Sequence, residues 1–413
     1  MTVDIFNNVA IVGAGIAGLT LAVVLKQQNI HCTVYESCLE GPLLFSGPLT
    51  LTPNGLRVAD ALGLYERLRS QGSDSRHATN LSIDYKLIGR REIGNLEKYG
   101  YDALRIYRHS TIEALVQAVH DLEIPIRYGR KFSHVVSESD HGVTIAFADG
   151  EQDMFDLVVG ADGLHSKVRQ HLLPDVKPTY TGRIAVAALA SSSAVPSTDY
   201  PLPFSVSGKA GHVILCPNGP DDPICPVATG CLFDELDREG WERLGADKDR
   251  LRSIMRQNYD QWNQLVQSAI DAADEDTLLM WPFYFISPLP TWRSKTGRIV
   301  ILGDAAHALP PIGALGANLA LEDAHSLGLL LGGVNQGKAQ WAAGLSWWEQ
   351  YRRARLEKVT SLTDELAKKR QQGSESSQLA AQLNTEDAWV FELDVARDIG
   401  QFFRSAHKYG IST

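Results

Sequence analysis

The sequence predicts an α/β protein: a Rossmann-like nucleotide-binding domain carrying an inserted, mostly antiparallel β-sheet domain and ending in C-terminal helices. Three observations predict it. A short apolar run, Asn8-Val9-Ala10-Ile11-Val12, leads directly into Gly13-x-Gly15-x-x-Gly18 and a helical stretch. Between about residues 178 and 285 the pattern changes to short β-like runs separated by Pro- and Gly-rich turns. From Arg298 a second buried-type strand ends in Gly303-Asp304, and long helical patterns follow.

The first unit follows from its physics. Residues 8–12 are β-branched and apolar, as a buried strand requires. Gly13 permits the tight turn, Gly15 lets a pyrophosphate approach the backbone, and Gly18 lets helix and strand pack closely. Ile16 and Ala17 complete the cofactor loop, and Leu19 to Gln28 reads as a helix, whose first N–H groups are free to meet phosphate oxygens. His31–Tyr35 reads as the second strand. It ends at Glu36, placed to accept hydrogen bonds from ribose hydroxyls.

Residues 56–70 suit a short helix and residues 80–93 a strand or hairpin. Ser110-Thr111-Ile112-Glu113 has the form of a capping box opening a helix. A meander follows at 132–136 and 143–147, then a strand at 156–160 running into Asp162-Gly163. In the middle block, 184–186, 212–215 and 227–233 read as strands and 247–269 as a helix. Late helices are expected at 318–331, 341–371 and 385–403, with a polar break at 372–377. The divisions are 1–177 and 286–335 for the two parts of the nucleotide domain, 178–285 for a substrate-binding sheet, and 336–413 for the helical region.

At 413 residues and 44% hydrophobic content the chain can bury two or three domains. A net charge of −10 argues against a nucleic-acid partner or an anionic membrane surface. The longest late apolar stretch, 319–331, is broken by Glu322, Asp323 and His325, so it reads as no membrane span. Met1-Thr2-Val3-Asp4 lacks the basic and apolar regions of a signal peptide. Five cysteines form no Cys-x-x-Cys pair. The expectation is a cytoplasmic monomer or homodimer.

The three cofactor stretches together point to a flavin dinucleotide. Gly303-Asp304 ends its strand where open α/β sheets bind ligands, and Asp304 suits a polyol such as the ribityl chain. An Asp serving as a helix cap is the plainer reading of the same residue. Pro310 to Asn318 is a small-residue loop entering a helix. The Gly316, Ala317 and Asn318 amides there could stabilise negative charge on a reduced flavin.

These motifs resemble the single-component FAD-dependent aromatic hydroxylase family, over roughly residues 8–360. Gly13–Gly18 is similar to its ADP loop, Asp162-Gly163 to its Asp-Gly motif, and Gly303-Asp304-Ala305-Ala306-His307 to its second flavin motif. Arg108 matches its arginine on the flavin phosphate side. Ala314-Leu315-Gly316 departs from the usual Gly-Gln-Gly, and Ala314 restricts positive φ.

The resemblance implies bound FAD, transient reduction by NADPH or NADH, and O2 addition to give a C4a-hydroperoxide. That species would hydroxylate or epoxidise an electron-rich aromatic, indolic or polycyclic small molecule. Arg183, opening an otherwise apolar strand, is the candidate for steering a phenolate; a surface strand-end arginine is the plain alternative. His212 and Tyr284 are lesser candidates, His307 reads as structural, and the tryptophans 281, 292, 347 and 348 as core. Residues 38–48 are nearly uncharged, and with the unusual 314–316 loop this suggests a larger, less charged substrate than a simple benzoate. A flavin oxidase or reductase, or a non-catalytic flavin-binding protein, stays open as an alternative. A halogenase is disfavoured, because no Trp-x-Trp-x-Ile-Pro stretch is present.

Overall fold

The nucleotide-binding half is built on a five-stranded, wholly parallel sheet, in a computed structural model that describes residues 5–41, 47–196, 198–200, 202–219, 221–311, 313–372 and 388–408. The spatial order is Ile299–Ile301, Leu157–Gly160, Asn8–Val12, His31–Tyr35, Ile126–Arg127. Helices cover the sheet, and residues 9–11, 157–159 and 299–301 have no exposed surface. Burial on both faces is why these strands read as unbroken apolar runs. Helices Ile16–Gln27 and Gly316–Asn335 pack against each other over the sheet.

A second sheet has seven strands. Its order is Ala273–Phe285, Thr179–Ser191, Ile224–Leu232, Gly211–Leu215, Phe204–Gly208, His77–Ser82, Leu87–Glu92. One face, with Ile184, Val186, Val213, Leu215 and Val227, packs on helices Lys248–Met255 and Gln264–Asp271. Strand alternation puts Arg183, Ala185, Ala187, His212, Ile214, Ser205 and Ser207 on the other face. The hairpin at 77–92 belongs to this sheet although it precedes residue 178. A strand pattern declares its own period, not the sheet it joins.

Several sequence expectations need correction. The single helix expected over 247–269 is two helices, broken at Asn258 (φ 60°) and restarted where Asn263 accepts the Val266 N–H. The segment 56–70 splits at Gly63 (φ 72°) into Pro53–Ala61 and Tyr65–Arg69. Ser110 opens nothing, because the helix Arg108–Asp121 already begins two residues earlier and has Tyr107 at its N-cap. The late helices run Gly316–Asn335, Trp341–Gln372, Ala388–Phe391 and Val395–Lys408. The break expected at 372–377 lies, beyond Gln372, outside the described residues.

All five cysteines are free thiols. Among the described residues no helix is long and apolar enough to cross a membrane, and no group of three or more His, Cys, Asp or Glu could hold a metal ion.

Candidate cofactor and substrate site

One row of residues across the parallel sheet brings the motifs together. Tyr35 pairs with Val12, Val12 with Gly160, and Gly160 with Ile301. The chain leaves the sheet just beyond each of these residues, so Glu36, Gly13, Asp162 and Gly303-Asp304 emerge along one edge. Neighbouring strands lie about 4.8 Å apart, so the edge spans roughly 14 Å.

Contacts bind the motifs further. Gly13 has φ 108°, and a Cβ there would stand 2.5 Å from the Ala161 carbonyl oxygen, so the first motif rests on the Asp-Gly stretch. A Cβ on Gly18 would stand 2.0 Å from the Gly13 carbonyl oxygen, and one on Gly303 3.1 Å from Ala17 Cβ. Fully buried Arg169 donates to the Leu164 and Ala305 carbonyls (2.6 and 2.9 Å), joining the second motif to the third.

The edge has what an anionic dinucleotide needs. Gly15 is the N-cap of helix Ile16–Gln27 without a side-chain cap, and nothing lies within 4 Å of its missing Cβ. The first-turn N–H groups of Ile16, Ala17 and Gly18 thus begin a helix with no side-chain cap, beside an unfilled space at Gly15. Glu36 Oε2 accepts the Ala14 N–H (2.8 Å), and Oε1 accepts those of Cys38 (2.8 Å) and the Ser37 hydroxyl (3.1 Å). Burial pushes this carboxyl up, but these hydrogen bonds outweigh it and hold it below the ordinary value.

Asp162 Oδ2 accepts the N–H groups of Lys167 and Val168 (2.8 and 3.2 Å). Its Oδ1 is buried without a hydrogen-bond partner, and burial raises its pKa. A buried acceptor left open at this edge fits a ligand or its water. Asp304 is exposed and makes no cap hydrogen bond: the N-cap of its short helix is Gly303. The cap reading therefore fails, and the carboxylate is left exposed at the cofactor edge. Exposed Arg108 opens helix Arg108–Asp121, its N–H bound to the Gly47 carbonyl (3.0 Å).

Helix Gly316–Asn335 also starts without a side-chain cap, leaving the Gly316 and Ala317 amides available. Ala314 does adopt φ 55°, so the left-handed turn survives without glycine. The Asn318 side chain has a separate task. It is fully buried, accepts the Thr52 N–H (2.9 Å) and donates to the Thr50 and Ala314 carbonyls (3.0 and 3.2 Å). It clamps the loop, and only its backbone N–H is left for a cofactor.

Behind the Gly303 turn lies a buried ionic network that the sequence did not disclose. Asp323 Oδ2 accepts the Gly303 N–H (3.0 Å) and contacts His307 Nε2 (2.5 Å), while Oδ1 accepts Arg352 Nε (2.7 Å). Glu322 is gripped by Arg352, Arg355 and Asn54. Tied in this way and 3% exposed, His307 is structural.

On the sheet face opposite the helices, the floor is of small residues: Ala185 beside Gly230 and Ala187 beside Ala228. Half-buried Arg183 lies on this face next to 75%-exposed Leu232, with no hydrogen bond or ion pair among the described residues. That places it at the rim. His212 Nδ1 meets the Ser207 hydroxyl (2.8 Å), and Ser205 and Ser207 both donate to Asn80 Oδ1 (3.0 Å each). Tyr284 is committed to Trp241 and Glu235. Trp292 and Trp348 are core, but Trp281 and Trp347 are only half-buried.

Comparison with known proteins bears on this arrangement. Residues 7–363 match a family model described as FAD binding domain. A 3-amino-4-hydroxybenzoate 2-monooxygenase of Streptomyces cremeus is 33% identical, over 79% of this chain and 78% of its own. A 6-hydroxynicotinate 3-monooxygenase of Pseudomonas fluorescens is 29% identical, over 94% and 95%. A salicylate hydroxylase substrate complex superposes with a TM-score of 0.78 at 21% identity, covering 96% of this chain and 98% of its own.

Proposed function

Since the chain belongs to the FAD-binding-domain family and is an FAD-dependent monooxygenase, we propose that it places one atom of O2 on an electron-rich aromatic or heteroaromatic ring, with NADPH or NADH as electron donor. One observation supports this reading above the others: three dinucleotide motifs open along a single sheet edge. The relatives named above act, by their names, on a hydroxybenzoate and a hydroxynicotinate. Substrates of that size suit a floor of alanines and glycine.

Bound FAD supplies the electron transfer and oxygen activation, which no protein side chain can perform. The protein's part is placement. The Ile16, Ala17 and Gly18 amides and Arg108 would hold the diphosphate, Glu36 a ribose, and Asp304 the polyol chain. The Gly316, Ala317 and Asn318 amides would stabilise negative charge at the ring end. The seven-stranded sheet would exclude water from the reacting carbon, and Arg183 at its rim would steer an anionic substrate inward. Ala314 keeps the left-handed turn, which removes the one departure favouring a non-catalytic role.

The test is reconstitution with FAD followed by matched pairs of substrates under isotope-labelled O2. The pairs are 3-amino-4-hydroxybenzoate with 2-aminophenol, and 6-hydroxynicotinate with 2-hydroxypyridine. Label in a product, with stoichiometric nicotinamide consumption, is the expected result. FAD-loaded protein that oxidises rings without incorporating label would instead indicate the oxidase. Arg183→Ala should slow product formation while leaving FAD loading unchanged.

A further inference from the structure

We propose that Arg105 is the anion-binding residue of the substrate site, its guanidinium receiving a carboxylate on the ring to be oxygenated. The inference rests on the monooxygenase reading above and narrows its substrate to aromatic acids.

Arg105 lies in the strand Ala103–Tyr107, where Leu104 and Ile106 are fully buried in the core. Alternation turns Ala103, Arg105 and Tyr107 the opposite way. In the sheet Arg105 stands directly opposite Thr50 of the strand Pro48–Leu51, and its Nη1 donates to Thr50 Oγ1 (3.1 Å). The Thr50 carbonyl in turn accepts from Asn318, which also holds Ala314 (3.0 and 3.2 Å). Arg105 is thus linked through one threonine and one asparagine to the loop expected to carry the flavin ring.

The seven-stranded sheet closes on the same side. Tyr107 donates to Asp222 (2.7 Å), which also accepts the Asn218 N–H (3.0 Å), and Asn218 donates to the Gln71 carbonyl (2.8 Å). The loop from Cys216 is drawn down beside Arg105 in this way. Burial raises the Cys216 and Cys225 thiols, and the charge of Arg105 acts on both from nearby in the opposite sense.

What remains of the guanidinium is its Nε–Nη2 edge, the side that meets a carboxylate with two parallel hydrogen bonds. Nε is buried with no acceptor, and no carboxylate forms an ion pair with Arg105 among the described residues. Asp222, the acid on that loop, is held by Tyr107. Arg105 thereby supplies the positive charge that residues 38–48 lack. The other unpaired arginine of the cleft, Arg183, stands at the rim beside an exposed leucine.

The test measures dissociation constants of the FAD-loaded protein, by perturbation of the flavin spectrum, for the two matched pairs named above. Wild type should prefer the acid to its decarboxylated partner by about ten-fold or more, the worth of a charge-assisted bidentate contact. In Arg105→Met that preference should fall below about three-fold while the decarboxylated partner binds as before. Arg105→Lys, which keeps the charge but loses the fork, should fall between the two, and Arg183→Ala should keep the preference. Equal binding of both partners by wild type overturns the proposal, as does a preference that survives Arg105→Met or follows Arg183. If Arg105→Met fails to load FAD, the wild-type ratio and Arg105→Lys decide. Label incorporation into an aromatic product without any preference for the acid would sink this inference and leave the monooxygenase reading standing.

Discussion

Replacing Arg352 by methionine tests whether the ionic network behind Gly303 holds the cofactor turn in place. The side chain is 1% exposed and bridges two acids that are themselves buried, Asp323 through Nε and Glu322 through Nη2, each at 2.7 Å. Methionine fills much of the space but leaves both carboxylates short of a partner. Asp323 keeps His307 and the Gly303 N–H; Glu322 keeps Arg355 and Asn54. Removing one member of a buried ion pair costs about 3–5 kcal/mol, and the partners that remain favour the lower end. The entropy of unfolding is about 2.1 cal/mol/K per residue, hence roughly 0.9 kcal/mol/K for 413 residues. The loss should therefore lower the melting temperature by roughly 3–5 °C if the chain melts as one unit. Because Asp323 positions the Gly303 N–H at a φ of 59°, FAD occupancy after gel filtration should fall too. The assay is a melt followed by flavin fluorescence, with bound FAD counted beforehand. A melting temperature within about 1 °C of wild type, at unchanged occupancy, would refute the role given to the network.

Gly13→Ala should abolish FAD retention, because the new Cβ meets the Ala161 carbonyl at 2.5 Å on a backbone of φ 108°; wild-type occupancy would remove Gly13 from the cradle. Asp304→Ala should leave the melting temperature of the apoprotein within about 1 °C, since the side chain is exposed and uncapping, while FAD occupancy drops; a large loss of apoprotein stability would restore the cap reading. Ala314→Gly should be neutral or stabilise by up to about 1 kcal/mol, relieving the left-handed strain at φ 55° against a more flexible unfolded chain; a fall in melting temperature would contradict it. The network also sets a pH window. Burial pushes Asp323 up, but His307 and Arg352 outweigh it and hold it at about 2, so its stabilisation is complete above its unfolded value and lost as pH falls towards 2. Burial pushes His307 down, but Asp323 outweighs it and holds the imidazole above its ordinary value. Its stabilisation is present below the unfolded value of 6.5 and is lost as pH rises through the folded one. His307→Gln should flatten the alkaline decline of melting temperature against pH, and parallel curves above pH 6.5 would disprove the pairing.

The cofactor edge was legible because it depends on local order. An apolar run, a glycine turn and an acid at the next strand end are neighbours in sequence, and parallel pairing of Tyr35, Val12, Gly160 and Ile301 does the rest. Features that depend on a distant partner were not. Glu322 and Asp323 read only as charges that break an apolar stretch; Arg352 and Arg355 from the next helix let them be buried. Asn318 was legible as an amide at a helix start, but not that its side chain is claimed by the strand Pro48–Leu51 some 268 residues earlier.

Arg105 lies at the limit of the method. The alternation of Ala103-Leu104-Arg105-Ile106-Tyr107 already says that arginine and tyrosine share the side away from the core. It cannot say that this side faces a closing sheet and not solvent. That depends on Asp222 reaching Tyr107 across 115 positions of sequence. A charged residue in an otherwise apolar strand, with no carboxylate partner among the described residues, is thus the signal to look for. At the rim, as at Arg183, water solvates such a charge; beneath the loop from Cys216, a ligand must do so.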